Sequence, residues 1–329
     1  MIKKNGAAKP KIKKSSAATK LNTNLSINGT EYVEDYTFLC GNTVPVYEVF
    51  TVHGLNQLIG HAKFNNQTYG KVYYRGEARL HETLLPSLLR KMKNTSKATE
   101  TITKISERFI RDEYMKNELK VDGEDISSSR MKIEGMLQHY GVATRYIDVV
   151  DNHWVALWMG LNRAEKLGQF NTYYHYTERS VPLVEFAKGE TVPNELLFQY
   201  VLLVAVPFST EQSLSGIQMS NDYVEVDLRQ ALPSTFLRPH AQHGLVIRKK
   251  PHPTDGTVTN DMYDMASTVV GIIKVRIDRV HDWIGSGELL TQNNLFPSPA
   301  YDYGYDLLLS RPDLLEDFKS KGFEIIKYV

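Results

Sequence analysis

Four β-branched runs crowd the second half of this chain: FQYVLLVAVPF, YVEVDL, HGLVIRK and TVVGIIKVRID. Val, Ile and Tyr are restricted at χ1 and pack well on a pleated surface, so these runs predict strands. The Pro, Gly, Ser and Asn clusters between them predict loops near FSTEQSLSGIQMSND and PHPTDGTVTND. The first half reads differently. Ile102, Ile105 and Phe109 fall at helical spacing, and Ile133, Met136, Leu137 and Tyr140 share one face that ends on Gly141. A third helix is expected to open at Asp151 or Asn152, carry the stripe Trp154, Leu157, Trp158 and Leu161, and close at Gly168. KVYYRGEAR reads as a short strand from Lys71 to Tyr74 stopped at Gly76, and RPDLLEDFKSKGFEIIKYV as a helix followed by a short strand. Helices early and strands late predict an α+β fold. A single domain is expected, with N-terminal helices packed on a mainly antiparallel or split β-sheet.

Charge divides the chain unevenly. The formal net charge is +1, yet the first twenty residues hold seven lysines and no acid, leaving 32 basic against 38 acidic side chains in the remainder. Residues 1–29 are therefore read as a Lys-rich disordered tail that adds salt-sensitive phosphate affinity or simply solubility, and residues 30–329 as the domain. Cys40 is the only cysteine, which excludes an intrachain disulfide or a Cys-based zinc cage and favours a reducing compartment. The basic start is followed by polar residues rather than an apolar core, so no secretory leader is expected. The longest apolar run, LLFQYVLLVAVPF, is interrupted by Gln199 and falls short of the ~20 residues a bilayer span needs. A cytoplasmic protein without a membrane partner is expected.

Three constellations could carry chemistry. In LQHYGVATRYIDVVDNHWVALWMG, the residues His139, Tyr140, Thr144, Arg145 and Asp148 crowd a link between two helices. They either satisfy the link's backbone, with Arg145 paired to Asp148 or to a carboxylate elsewhere, or converge on a polar ligand. Tyr74-Arg75-Gly76 can present a planar guanidinium to phosphate or carboxylate, the glycine allowing close approach, although a surface Arg is the commoner case. In RPHAQHGLVIRK, the residues Arg238, His240, Gln242 and His243 precede a strand. A metal could be drawn to His240 and His243 with His139 or Asp148, but no recognised metal spacing supports it and no metal is expected. No Gly-rich phosphate loop or G-x-S-x-G elbow is present. Tyrosines cluster at 73–74, 173–176 and 301–305, as a base-stacking surface would require and as half-buried strands also would.

The order of these elements resembles the FRG-domain family, named for a Phe/Tyr-Arg-Gly start that Tyr74, Arg75 and Gly76 match. Its central Gln-His-Tyr-Gly-x-Pro-Thr-Arg-Leu-Leu-Asp-Trp block is matched by Gln138, His139, Tyr140, Gly141, Thr144, Arg145 and Asp148. A later Gln-Gly element is matched by Gln242 and Gly244, and a Leu-Phe-Pro element by Leu295, Phe296 and Pro297. Ala143 stands where Pro is usual, Val149 where Trp is usual, and His243 where Gln is frequent. The resemblance spans roughly residues 44 to 310.

FRG domains occur largely in prokaryotic and phage-related proteins and are similar to ADP-ribosyltransferases. The resemblance therefore implies an ADP-ribosyltransferase-like fold, with NAD as co-substrate, in a toxin or antiphage effector. Arg75, Gln242 and Asp148 would be catalytic. Tyr74, Arg75, His139, Tyr140, Thr144 and Arg145 would hold NAD, and Arg238, His240 and His243 the acceptor. A nucleic-acid acceptor, RNA before DNA, is expected over protein, with an antitoxin as a further partner. The alternatives are a non-catalytic nucleotide-binding module and a metal-dependent nuclease.

Overall fold

A computed structural model describes residues 15–121, 123–167, 173–181, 193–210, 215–253, 256–285 and 287–328. The chain opens not on helices but on a hairpin, β1 (Thr30–Thr37) and β2 (Thr43–Val49). Most of the Lys-rich leader lies outside the described residues. Residues 15–29, expected to belong to the disordered tail, pack on the domain. Leu21 is buried, its N–H donates to Val270 O at 2.8 Å, and the Thr19 N–H donates to Asn66 Oδ1. Leu21 lies over Gly271, where a β-carbon would come within 2.5 Å of its side chain.

Ten further strands follow among the described residues: β3 (Gly70–Glu77), β4 (Ile147–Val150), β5 (Asn162–Leu167), β6 (Tyr173–Glu178), β7 (Phe198–Pro207), β8 (Ile217–Met219), β9 (Tyr223–Asp227), β10 (Gly244–Lys249), β11 (Val269–Arg276) and β12 (Lys327–Tyr328). Nine of the twelve form one sheet in the order β1-β2-β11-β7-β3-β4-β10-β9-β8, antiparallel except where β11 runs parallel to β2. The remaining three form a small sheet in the order β12-β6-β5. The four β-branched runs are β7, β9, β10 and β11. The fold is α+β with a mostly antiparallel sheet.

Several expected boundaries move. β3 runs through Gly76 to Glu77, paired with β7 along its whole length. The link after Gly141 is not only a link, since Ile147–Val150 enters the sheet between β3 and β10. One polar residue, Asp148, in a run of only four hid this strand. The third helix, His153–Leu161, is capped by Asn152, whose Oδ1 accepts from Trp154 N, and ends seven residues early because Asn162 begins β5. Gly168, its expected stop, lies outside the described residues.

One face of the sheet carries two separate helical groups. Helices Val52–Asn66, His153–Leu161 and Ile277–Ile284 cover β2, β11, β7 and β3 over a core that includes Tyr74, Leu203 and Ile273. Helices Thr95–Arg111 and Ile126–His139 cover β8, β9 and β10 over Ile133, Val226 and Val246. The opposite face, with Val204, Leu245 and Ile272, lies under Phe38, Leu84 and the Met265–Ala266 turn. Between the helical groups the sheet is barely joined, because β3 meets β4 in a single pair, Tyr74 with Val150.

Candidate functional site

A cleft of about 410 Å³ opens over this seam. That volume lies in the range of small-molecule sites, roughly 300–1,000 Å³. Helix Ile126–His139 supplies Gln138 and His139 from one side, helix His153–Leu161 supplies Ala156 and Met159 from the other, and β3 and β4 supply the floor. Thus Tyr74, Arg75, His139, Asp148 and Gln242, far apart in the chain, share one cavity.

Arg75 bridges the seam. Its Nε donates to Glu77 Oε1 at 2.6 Å and its Nη1 to the Asp148 carbonyl at 2.8 Å. Burial opposes its charge, but Glu77 and Asp148 more than reverse that, holding its pKa above the ordinary value. The expected role of Gly76 needs correction. A β-carbon there would lie 1.8 Å from the Ala156 carbonyl oxygen, so the glycine admits helix His153–Leu161 rather than a ligand's approach to the backbone.

Asp148 is oriented by a short relay. Tyr146 N–H donates to Thr144 Oγ1, Thr144 Oγ1 donates to Gln138 Oε1 at 2.7 Å, and Gln138 Nε2 donates to Asp148 Oδ2 at 2.6 Å. The other carboxylate oxygen stands 3.7 Å from His139 Nδ1, within ion-pair range but beyond a hydrogen bond. His139 Nε2 is buried without a hydrogen-bond partner among the described residues, an unusual state for a buried imidazole. Its ring is seated on Gly244, where a β-carbon would come within 2.4 Å of His139 Cε1. Gln242 Nε2 donates to the Leu295 carbonyl at 2.6 Å.

Other expected site residues stand elsewhere. Tyr140 is fully buried, donates its hydroxyl to Asp302 Oδ2 at 2.8 Å and stacks on Tyr305. Burial first and then Asp302 push its phenol pKa up. Thr144 acts through Gln138 rather than at the cavity wall. Arg145 grips Glu134 by Nε at 3.0 Å and Nη2 at 2.6 Å, while its own N–H donates to the same carboxylate. The link's arginine is thus paired with a carboxylate on the preceding helix, not with Asp148. Arg238 is wholly buried, its guanidinium 4.5 Å from the Tyr140 ring centroid and 4.6 Å from that of Tyr305, so it cannot meet an acceptor from solvent. His240 lies outside the cleft with its Nε2 buried and without a partner among the described residues. His243, in a left-handed conformation at φ 52°, turns its Nδ1 to Asp151 at 3.2 Å, beside Arg229. Among the described residues no group of three or more His, Cys, Asp or Glu is arranged to hold a metal ion, and no helix is long and apolar enough to cross a membrane.

Sequence reasoning gave no site role to Gln138 or Arg90, and met Tyr176 only within the 173–176 tyrosine cluster. Gln138 was visible in the Gln-His-Tyr-Gly block, but its relay needs the β4 geometry. Tyr176 comes to the cleft on the small sheet. Arg90 makes no ion pair among the described residues, and its pKa is lowered by burial and then by the like charge of Arg75. No sequence signal marked it.

No curated protein and no solved structure matches the chain. The model of the FRG domain matches residues 70–169, a stretch that holds β3, β4 and the relay and leaves Gln242 and Gly244 outside. The chain carries an FRG domain.

Proposed function

We propose that the cleft binds NAD and transfers its ADP-ribosyl group, as in a toxin or antiphage effector with an ADP-ribosyltransferase-like active site. The observation that carries this reading is the convergence of Arg75, His139, Asp148 and Gln242 on one cavity. Arg75 lines the cleft and would neutralise a pyrophosphate, helped by the nearby charge of Arg90, which feels Glu77 but makes no ion pair among the described residues. His139 Nε2 is a buried polar atom in need of a partner, which a ribose hydroxyl or the nicotinamide amide would provide.

The chemistry requires positioning and charge more than strong bases. The bond between C1′ and the pyridinium nitrogen breaks, and its electron pair stays with the departing neutral nicotinamide. The positive charge that develops on the ribosyl carbon faces the Asp148 carboxylate, which the relay holds in place. An acceptor amine bonds to C1′ through its lone pair and loses its proton to Asp148 or water. A nucleobase amine, on RNA before DNA, suits a site in which an amide, Gln242, replaces a carboxylate, since Gln cannot take the proton.

The second reading is a nucleotide-binding module without turnover. It is favoured by that same amide, tied through Nε2 to Leu295 O. A single experiment separates the two. Purified protein is incubated with labelled NAD and cell extract, nicotinamide release is followed, and labelled products are digested separately by protease, RNase and DNase. We expect release, and label freed by RNase. Arg75→Ala should lower release by at least about a hundredfold, the size of losing one preorganised charge contact. Saturable NAD binding without release supports the module. Unchanged labelling by Arg75→Ala removes the arginine from the mechanism.

A further inference from the structure

A second cavity, of about 630 Å³, shares Phe296 with the cleft as a lining residue. Its wall is unusual in chemistry. Asn293 and Asn294 from helix Gln292–Leu295 face the space together with Tyr301 and Leu237, and no charged side chain lines it. Asn293 makes no side-chain hydrogen bond among the described residues, and the Tyr301 side chain likewise has no partner there. Tyr301 is 81% exposed, an extreme value for a large aromatic residue, and Tyr303 and Tyr114 nearby are 41% and 50% exposed. The last two touch through their hydroxyls at 3.2 Å. Three solvent-facing phenol rings beside an amide-lined pocket are not explained by packing.

We propose that this face binds single-stranded nucleic acid, with one base in the amide-lined cavity and flanking bases stacked on the exposed tyrosines. The proposal deepens the transferase reading, on which its acceptor role rests, by naming where the acceptor base sits relative to the cleft. The Asn293 carboxamide offers a donor and an acceptor side by side, the pairing that reads a base edge, while Asn294 Nδ2 already donates to the Glu288 carbonyl. Aromatic faces tolerate any base, and an uncharged lining favours a neutral heterocycle over phosphate. A peptide fits less well. The cavity is walled by helices and loops, so no strand edge is available to hydrogen-bond an extended peptide backbone.

The test uses the full chain and a single-stranded oligoribonucleotide carrying 2-aminopurine, whose fluorescence is quenched on stacking. Wild type should quench it saturably, Tyr301→Ala should weaken binding about tenfold, and Tyr301→Phe should restore it. Asn293→Ala should weaken binding and change the preference among bases. Equal binding by wild type and Tyr301→Ala overturns the proposal, as does the absence of quenching with wild type, or equal competition by an unstructured peptide. Nicotinamide release by wild type without oligonucleotide is read in parallel. Its absence overturns the reading of the cleft, while the quenching assay decides this face on its own.

Discussion

Arg145 meets Glu134 at three points, and both side chains are largely shielded from water. Burial alone would lower the arginine's pKa, but Glu134 more than reverses that, and Arg145 holds the Glu134 carboxyl below its usual range against its burial. Removing one partner leaves the other's charge buried and uncompensated. Arg145→Ala should therefore cost about 3–5 kcal/mol in urea unfolding, whereas Arg75→Ala should cost chiefly function. A cost below about 1 kcal/mol would mark the pair as dispensable. The two arginines look alike in the sequence, each flanked by tyrosine and small residues. Their fates differ because Glu134 lies near the His139 end of the preceding helix, a pairing visible only once the link folds back. The same applies to Tyr140 and Arg238, whose mutual packing depends on Tyr305 and Asp302 more than sixty residues downstream of Arg238.

At the scale of elements, two glycines fix how the cleft is assembled. Gly76 lets a helix lie against β3, and Gly244 seats the His139 imidazole at the start of β10. Gly244→Ala should displace that ring. We expect a loss of NAD binding by calorimetry, with a destabilisation of about 1–3 kcal/mol from overpacking. Intact binding would show that the ring need not stay where it is. The four apolar strands and the main helical stripes were legible because each has the periodicity of its own environment. The β1–β2 hairpin, β5, β6 and β8 were not. β1 is mostly exposed and rich in Glu, Asp and Thr, and β5 and β6 carry charged and polar residues on both faces, so neither shows a clean apolar alternation. β4 was missed for a different reason. Its four residues include Asp148, and a strand that short has too few positions to show a period.

For the whole molecule, one source of acid sensitivity lies where three elements meet. His153, at the start of its helix, lies edge-on to Tyr74 of β3 with ring centroids 5.8 Å apart, and Lys63 of the first helix sits over the same Tyr74 ring. Burial, and then the Lys63 charge, lower the His153 pKa from its ordinary 6.5 to about 4. The unfolded chain takes up this proton more readily than the folded one between those values. The stability from His153 is complete above 6.5 and is lost as pH falls towards 4. Calorimetric melting should show Tm falling through that window, and His153→Phe should flatten the fall. An unchanged pH profile in the variant would place the acid response elsewhere. Five of the expected site residues (Tyr74, Arg75, His139, Asp148 and Gln242) did come to one cavity, because the motif order encodes which strand ends adjoin. The contacts that hold them were not readable, since they cross the molecule.

The single rung between Tyr74 and Val150 has one more consequence. A sheet bends most easily along its least-bonded line, so any rocking of the two helical groups would hinge there, against the resistance of that rung, the grip of Arg75 on the Asp148 carbonyl and the Tyr73 hydroxyl's bond to Glu225 from β3 to β9. A molecule lying across the gap would act as a splint, and tightness of binding would be set as much by the lost play between the halves as by the contacts themselves.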